Sequence, residues 1–209
     1  PDTNIIPQAR NICGPIGYAP YALPGSRELG ESIADPFREN YDAVIMENHG
    51  TVGGWTDPKD TCQRFETLEV SARTMVNGKT IGNPVYLSDE DIENFEDQIP
   101  RRQPEMESVA HPADERDIRE SIVEMVKRAC EQGLMISSYG TLSVRWRDDD
   151  FLITPTEVSR WDIRREDIVQ IRDGRKEPGK LPSRGVWLHQ EIYRRNPEVN
   201  SIILTQSPY

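Results

Sequence analysis

Three histidines occur in the chain, and one of them, His49, interrupts the apolar run DAVIMENHGTVGG between Asn48 and Gly50. A neutral imidazole at such a break is either packing or one ligand of a metal site, and one ligand alone cannot make a site. Counting by threes and fours along the next helical segment, from Cys62 and Phe65 to Ala72 and Val76, lands on Glu69. Burying an unpaired carboxylate costs several kcal/mol, so Glu69 needs an imidazole or backbone N–H partner, or else lies at the rim of the apolar stripe. Further on, SSYGTLS, Ser137 to Ser143, is rich in hydroxyls and glycine. From the residues alone it reads as an ordinary polar turn entering a strand. His111 stands before Pro112 in a proline-containing stretch and is expected to be exposed; His189 sits in a helical pattern and is expected to pack.

These groups need elements to hold them. Gly25 to Tyr41 opens with Ser26 as N-cap and spaces Leu29, Ile33 and Phe37 four apart, which predicts an amphipathic helix interrupted near Pro36. Asp42 to Glu47 and Thr51 to Gly54 read as buried extended segments flanking Asn48-His49-Gly50. Asp57 and Pro58 start a long helix expected to end at Gly78. LSDEDIENF, Leu87 to Phe95, begins a short acidic helix with Ser88 and Asp91 at capping-box-like spacing. Residues 96–114, EDQIPRRQPEMESVAHPAD, carry three prolines and no apolar period and read as a linker. Asp114 and Glu115 then lead a helix with Ile118, Ile122, Met125, Val126 and Ala129 on one face, closed by Gly133. GTLSVRWR and FLITPT form a predicted antiparallel hairpin; a short strand follows at Ile168 to Ile171, a helix begins near Ser183, and SIILTQ is a last, buried strand.

Composition narrows the function classes. A formal charge of −11 argues against a general nucleic-acid or anionic-membrane binder, since both need clustered Lys and Arg. No apolar run approaches the roughly 18 residues that span a bilayer. Cys13, Cys62 and Cys130 are odd in number and outside any CxxC pattern. They are expected to be reduced packing residues, which favours the cytoplasm. The N-terminal PDTNIIPQ lacks the basic and apolar regions of a signal peptide.

With these motifs in order, both halves resemble the class II aldolase/adducin family, typified by L-fuculose-phosphate aldolase and L-ribulose-5-phosphate 4-epimerase. Residues 1–95, with IIPQ, APYALPGSRELGE, ENHG, LEVSAR and NPVYLSDEDI, resemble the C-terminal half of such a domain. Residues 115–209, with GLMISSYGTLSVR, LITPTEVSR, GKLPSRGVWLHQEIY and SIILTQSPY, resemble the N-terminal half of a second. The order is thus inverted across the 96–114 linker, either as the middle of a tandem protein or as one permuted domain.

The resemblance implies an α/β fold, three-layered α/β/α with a mostly antiparallel central sheet, and assembly as a homo-oligomer, commonly a tetramer. It implies a small sugar-phosphate substrate and a zinc ion held by three histidines, for which His49 matches one ligand and Glu69 is a supporting carboxylate. Ser138, Gly140, Thr141, Thr156 and Ser183 match the family's phosphate-holding positions. The match also breaks. Thr205, Gln206 and Ser207 stand where two metal-binding histidines are expected, Gly185 where a catalytic Glu is expected, and Glu157 where a glycine is expected. The resemblance therefore implies zinc-dependent retro-aldol cleavage with an incomplete metal site in this chain, or alternatively a non-catalytic, adducin-like assembly or regulatory domain.

Overall fold

A computed structural model describes residues 2–97 and 103–207. They fall into two compact units, one within 2–97 and one within 103–207.

In the first unit, α1 (Pro7–Cys13), β1 (Ile16–Ala19), α2 (Arg27–Arg38), β2 (Ala43–Met46), β3 (Gly50–Gly53), α3 (Pro58–Ile81) and α4 (Asp89–Asp97) follow in order. β1 and β2 are parallel, from Ile16 opposite Ala43 to Ala19 opposite Met46. The α2 crossover between them is what parallel pairing requires. β2 and β3 are antiparallel, with Met46 opposite Gly50, so the Glu47-Asn48-His49 segment is a hairpin turn. The core is small: Cys13, Ala43 and Leu68 are buried, with Ile12, Ile16 and Trp55 against them.

Three local expectations are corrected here. α2 runs through Pro36 and stops after Arg38; Pro36 lies in the final turn, and the chain turns instead at Asn40, whose φ is 65°. α3 passes Gly78 and ends at the Gly82 C-cap, where the Gly82 N–H bonds the Gly78 carbonyl at 2.8 Å. Its buried residues are Thr67, Leu68 and Ser71, whereas Cys62 is exposed and Val76 is 64% exposed. The Thr67 and Ser71 hydroxyls donate to the carbonyls of Gln63 and Thr67 at 2.9 and 2.8 Å, so small hydroxyl residues pack well where apolar counting passes them over.

The second unit comprises α5 (Ala113–Glu131), β4 (Thr141–Arg147), β5 (Asp150–Ile153), β6 (Val169–Arg172), β7 (Arg175–Lys176), α6 (Val186–Arg195) and β8 (Ser201–Leu204). Its sheet has the order β7-β6-β5-β4-β8, antiparallel throughout. Strand alternation builds the layers. Leu142 and Leu152 pack with Ile122, Val126 and Ala129 of α5, while Phe151, Ile153, Val169 and Ile171 pack with Val186 and Tyr193 of α6. The unit is therefore a three-layer α/β/α sandwich, and the chain is α/β in class. Among the described residues the strands form a three-stranded sheet in the first unit and a five-stranded sheet in the second.

SIIL forms β8, but it is an edge strand with Ile203 48% and Leu204 41% exposed. Among the described residues, its strand neighbour is β4 alone. Part of the predicted linker is also packed: Gln103 and Met106 are buried, and the Met106 N–H bonds the Lys176 carbonyl at 3.0 Å. Residues 98–102 of that segment lie outside the described residues.

Candidate functional site

The hydroxyl and glycine positions of the second unit gather where β4 begins. Gly140 takes φ 85°, and a Cβ there would sit 2.5 Å from Met135 Cγ; both the backbone and the space demand glycine. This places Thr141, buried, with its Oγ1 2.5 Å from the buried Ser183 Oγ. Ser183 is fixed by its N–H to the Thr154 carbonyl at 2.9 Å, and Thr156 by its N–H to the Leu181 carbonyl at 3.0 Å. Those two amides are spent within the main chain. The Thr141 and Ser183 hydroxyls are donors this corner can offer an anion. Ser138, half-buried, precedes Gly140 in the same turn.

Arg160 locks the corner. It is 1% exposed, and its guanidinium donates to the carbonyls of Gly140 at 3.0 Å, Val158 at 2.7 Å and Pro155 at 3.0 Å. Burial pulls its pKa down to about 10, which leaves it charged at neutral pH. Next to it, Glu157 is exposed at φ 61°, a left-handed conformation that favours glycine.

His189 is fully buried, so the packing expectation is strengthened. Its Nδ1 lies 2.6 Å from Ser143 Oγ, which lies 2.7 Å from the Tyr193 hydroxyl. His189 Nε2 has no partner. Burial lowers the pKa of His189 to about 4 and raises that of Tyr193; both are neutral at pH 7. Gly185 abuts this ring: a Cβ there would sit at ordinary contact, 3.5 Å from Thr141 Oγ1 and 3.6 Å from His189 Nε2. The position therefore accommodates a Cβ, but glycine brings no proton-transfer group.

His49 is placed differently. It lies exposed on the β2–β3 turn, its N–H bonded to the Met46 carbonyl at 3.2 Å, after Asn48 at φ 54°. Glu69 is also exposed. It pairs with Arg73 at 2.8 Å, the two side chains being 62% and 65% accessible, and it borders a cleft of about 260 Å³ with Ile16, Ile45, Thr51, Phe65, Leu68 and Ala72. Its partner is thus an arginine one helical turn away and not an imidazole. Among the described residues, no three His, Cys, Asp or Glu side chains are grouped so as to hold a metal. His189 is committed to Ser143, and His111, exposed as expected, lies 3.3 Å from Glu115. The residues present do not fit a zinc site.

One charged cluster escaped sequence reading. Glu115 and Arg119, one turn apart on α5, are both buried; Arg119 Nε bonds Glu115 at 2.6 Å and its Nη2 bonds Glu177 at 2.7 Å. Burial pushes the Glu177 carboxyl up, but hydrogen bonds from Lys180 and Arg119 outweigh this and hold it below its usual range.

The sequence profile described as Class II Aldolase and Adducin N-terminal domain matches residues 3–76 and 120–209. The chain belongs to this family. A 3-oxo-tetronate 4-phosphate decarboxylase of Haemophilus influenzae is 30% identical over 93 residues, 44% of this chain and 44% of the relative. An L-fuculose phosphate aldolase of Escherichia coli K12 is 34% identical over 89 residues, 42% of this chain and 39% of the relative. A solved L-fuculose 1-phosphate aldolase structure is 26% identical, with a TM-score of 0.41 over 44% of each chain. The chain thus spans less than half the length of the curated relatives it matches. Among the described residues of this family member, no helix is long and apolar enough to cross a membrane.

Proposed function

We propose that this chain supplies the phosphate-holding corner and one metal-ligand position of a class II sugar-phosphate enzyme, an aldehyde-lyase of the L-fuculose-phosphate aldolase kind acting in the cytoplasm. Residues 1–95 are read as the C-terminal half of one family domain and 115–209 as the N-terminal half of a second. The observation that carries the reading is the Thr141–Ser183 hydroxyl pair, 2.5 Å apart beside Gly140, within a member of this family. Ser138 and Thr156 complete the anion corner in this reading. Two small hydroxyls with one proton between them leave a second O–H to donate to a phosphate oxygen.

His49 is the candidate zinc ligand, with Glu69 the supporting carboxylate; zinc would supply Lewis-acid polarisation of the substrate oxygens. The described residues do not complete that site, so no proton or bond rearrangement is assigned through it here. A segment beyond this chain would have to bring the remaining ligands. The family reading also makes the protein a homo-oligomer, assembled as a tetramer.

Titration with inorganic phosphate and with a ketose 1-phosphate, followed by amide NMR, tests the corner. Binding should shift Gly140, Thr141 and Ser183, and Thr141→Ala or Ser183→Ala should weaken it by about tenfold, the loss of one hydrogen bond to a charged group. Binding unchanged in both variants would refute the assignment.

A second reading is favoured by Gly185 and by Thr205, Gln206 and Ser207 at the expected ligand positions: a non-catalytic, adducin-like assembly or regulatory domain. Retro-aldol turnover by this chain with added zinc would exclude it.

A further inference from the structure

The polar chain between β4 and α6 is closed at one end and open at the other. Ser143 Oγ stands between His189 Nδ1 at 2.6 Å and the Tyr193 hydroxyl at 2.7 Å, and all three residues are fully buried. His189 Nε2 is buried too, and it has no partner among the described residues. Because burial lowers the His189 pKa to about 4, the ring is neutral at pH 7 and carries a single N–H. Which nitrogen holds that proton is set by the hydrogen bonds around the ring.

Donor counting gives the chain a direction. The Tyr193 O–H meets one acceptor among the described residues, Ser143 Oγ. If Tyr193 donates there, Ser143 donates to His189 Nδ1, and the single group left without a partner is an Nε2–H. With the proton on Nδ1 instead, one hydroxyl hydrogen of the pair is stranded, and the bare Nε2 lone pair is stranded as well. Each buried polar group left unpaired is costly, so the first arrangement is favoured and Nε2 is a donor.

That donor borders the space beside Gly185. A Cβ built there would lie 3.6 Å from His189 Nε2 and 3.5 Å from Thr141 Oγ1, and Thr141 is the hydroxyl paired with Ser183 at 2.5 Å. An N–H and a hydroxyl thus flank one spot, where an anionic oxygen could accept from both. We propose that His189 Nε2–H is a further donor of the anion corner, binding one oxygen of a phosphate group in the space that Gly185 leaves beside Thr141. This role rests on the phosphate reading of the corner and adds to it an imidazole from α6. Ser143 and Tyr193 are positioning residues, which hold the ring in the donating tautomer without touching the ligand.

Long-range proton–nitrogen NMR of the imidazoles in the full chain, recorded through a titration with inorganic phosphate, tests this. The chain has three histidines, and His49→Ala and His111→Ala, both at exposed positions, assign the His189 signals by elimination. The Nε2–H form is expected before phosphate is added, and phosphate should move the Nε2 resonance. Gly185→Ala is the blocking variant. Gly185 has φ −69° and ψ −3°, open to any residue, and the added Cβ meets only ordinary contacts, so the fold should accept it. The variant should weaken phosphate binding by about tenfold, the loss of one hydrogen bond to a charged group, and its Nε2 resonance should stay still while the Gly140 and Thr141 amides move. An Nδ1–H form in the wild type would overturn the proposal. So would phosphate shifts at Gly140, Thr141 and Ser183 with the wild-type Nε2 unmoved, or Gly185→Ala binding phosphate as tightly as the wild type; the corner itself would then stand. No shift at any of these positions would overturn the corner, and the His189 role with it.

Discussion

The β2–β3 turn of the first unit and the β4 corner of the second present opposite kinds of incomplete site. The turn carries His49, the histidine proposed as a metal ligand, but it is exposed and nothing around it among the described residues groups into a metal site. The corner has Gly185 where the family resemblance implies a carboxylate, and around it a buried arginine bonds three carbonyls, two buried hydroxyls touch, and a buried histidine is chained to a serine and a tyrosine. On the proposed reading, the turn is a candidate ligand without surroundings and the corner a frame without a proton-transfer residue. The difference is energetic. Buried polar groups are tied into stability, so the scaffold resists loss, whereas an exposed imidazole has little effect on the fold.

The sharpest break of this contrast is Arg160→Met. It leaves the carbonyls of Gly140, Val158 and Pro155 without their buried donor, at about 1–3 kcal/mol for each unsatisfied group. A loss of roughly 3 kcal/mol or more is expected in urea unfolding of the second unit, read from the fluorescence of Trp146, Trp161 and Trp187. A change below 1 kcal/mol would mean that the corner is held by something else.

Acid should come next. His189 has its pKa lowered by burial to about 4, against about 6.5 in the unfolded chain. The unfolded state therefore takes up a proton between those values that the folded state refuses. Its contribution is fully present above pH 6.5 and is lost as pH falls towards 4, in all about 3 kcal/mol. Unfolding midpoints measured from pH 7 to pH 4 should fall accordingly, and His189→Gln should flatten that part of the profile. A slope unchanged by the substitution would assign the acid loss to carboxylates.

A smaller effect is expected at Glu157. Its left-handed φ of 61° costs an L-residue roughly 1–2 kcal/mol, partly offset by the entropy a glycine would lose. Glu157→Gly should stabilise the second unit by about 0.5 kcal/mol and tighten phosphate binding by removing a nearby negative charge. Weaker phosphate binding in that variant would argue against an anion corner.

What was legible in the sequence follows the range of the forces involved. Local signals read well: Ser26 accepts the Leu29 N–H at 3.1 Å as an N-cap, Asp57 caps α3, and the stripe from Ile118 to Ala129 packs on the sheet. The extended segments on either side of His49 were also readable, because two short apolar runs flank a polar break, but the burial expected of the second was not met: Thr51 is exposed and Val52 and Gly53 are only half-buried. Long-range polar pairing was not. Glu115 and Arg119 look like an ordinary surface pair at i,i+4 until Glu177, distant in sequence, closes over them. Ser143, His189 and Tyr193 are likewise joined only by the sheet and α6. The stripe through Cys62 and Val76 misled because α3 buries small hydroxyl residues that satisfy their own i−4 carbonyls.

The smallest expected effect bears most directly on His49. Its side chain is exposed on a turn, so His49→Ala should change stability by less than about 0.5 kcal/mol, the usual range for surface substitutions. Zinc needs three or four protein ligands in a preformed geometry, and the described residues offer no such group. Equilibrium dialysis with elemental analysis should accordingly find no stoichiometric zinc on the wild-type chain and no difference in the variant. One equivalent of zinc, lost in His49→Ala, would show that the turn acquires its other ligands in solution. If that zinc appeared only at concentrations where the chain self-associates, the ligands would come from a second copy, and the exposed histidine would be half of a shared site rather than a relic.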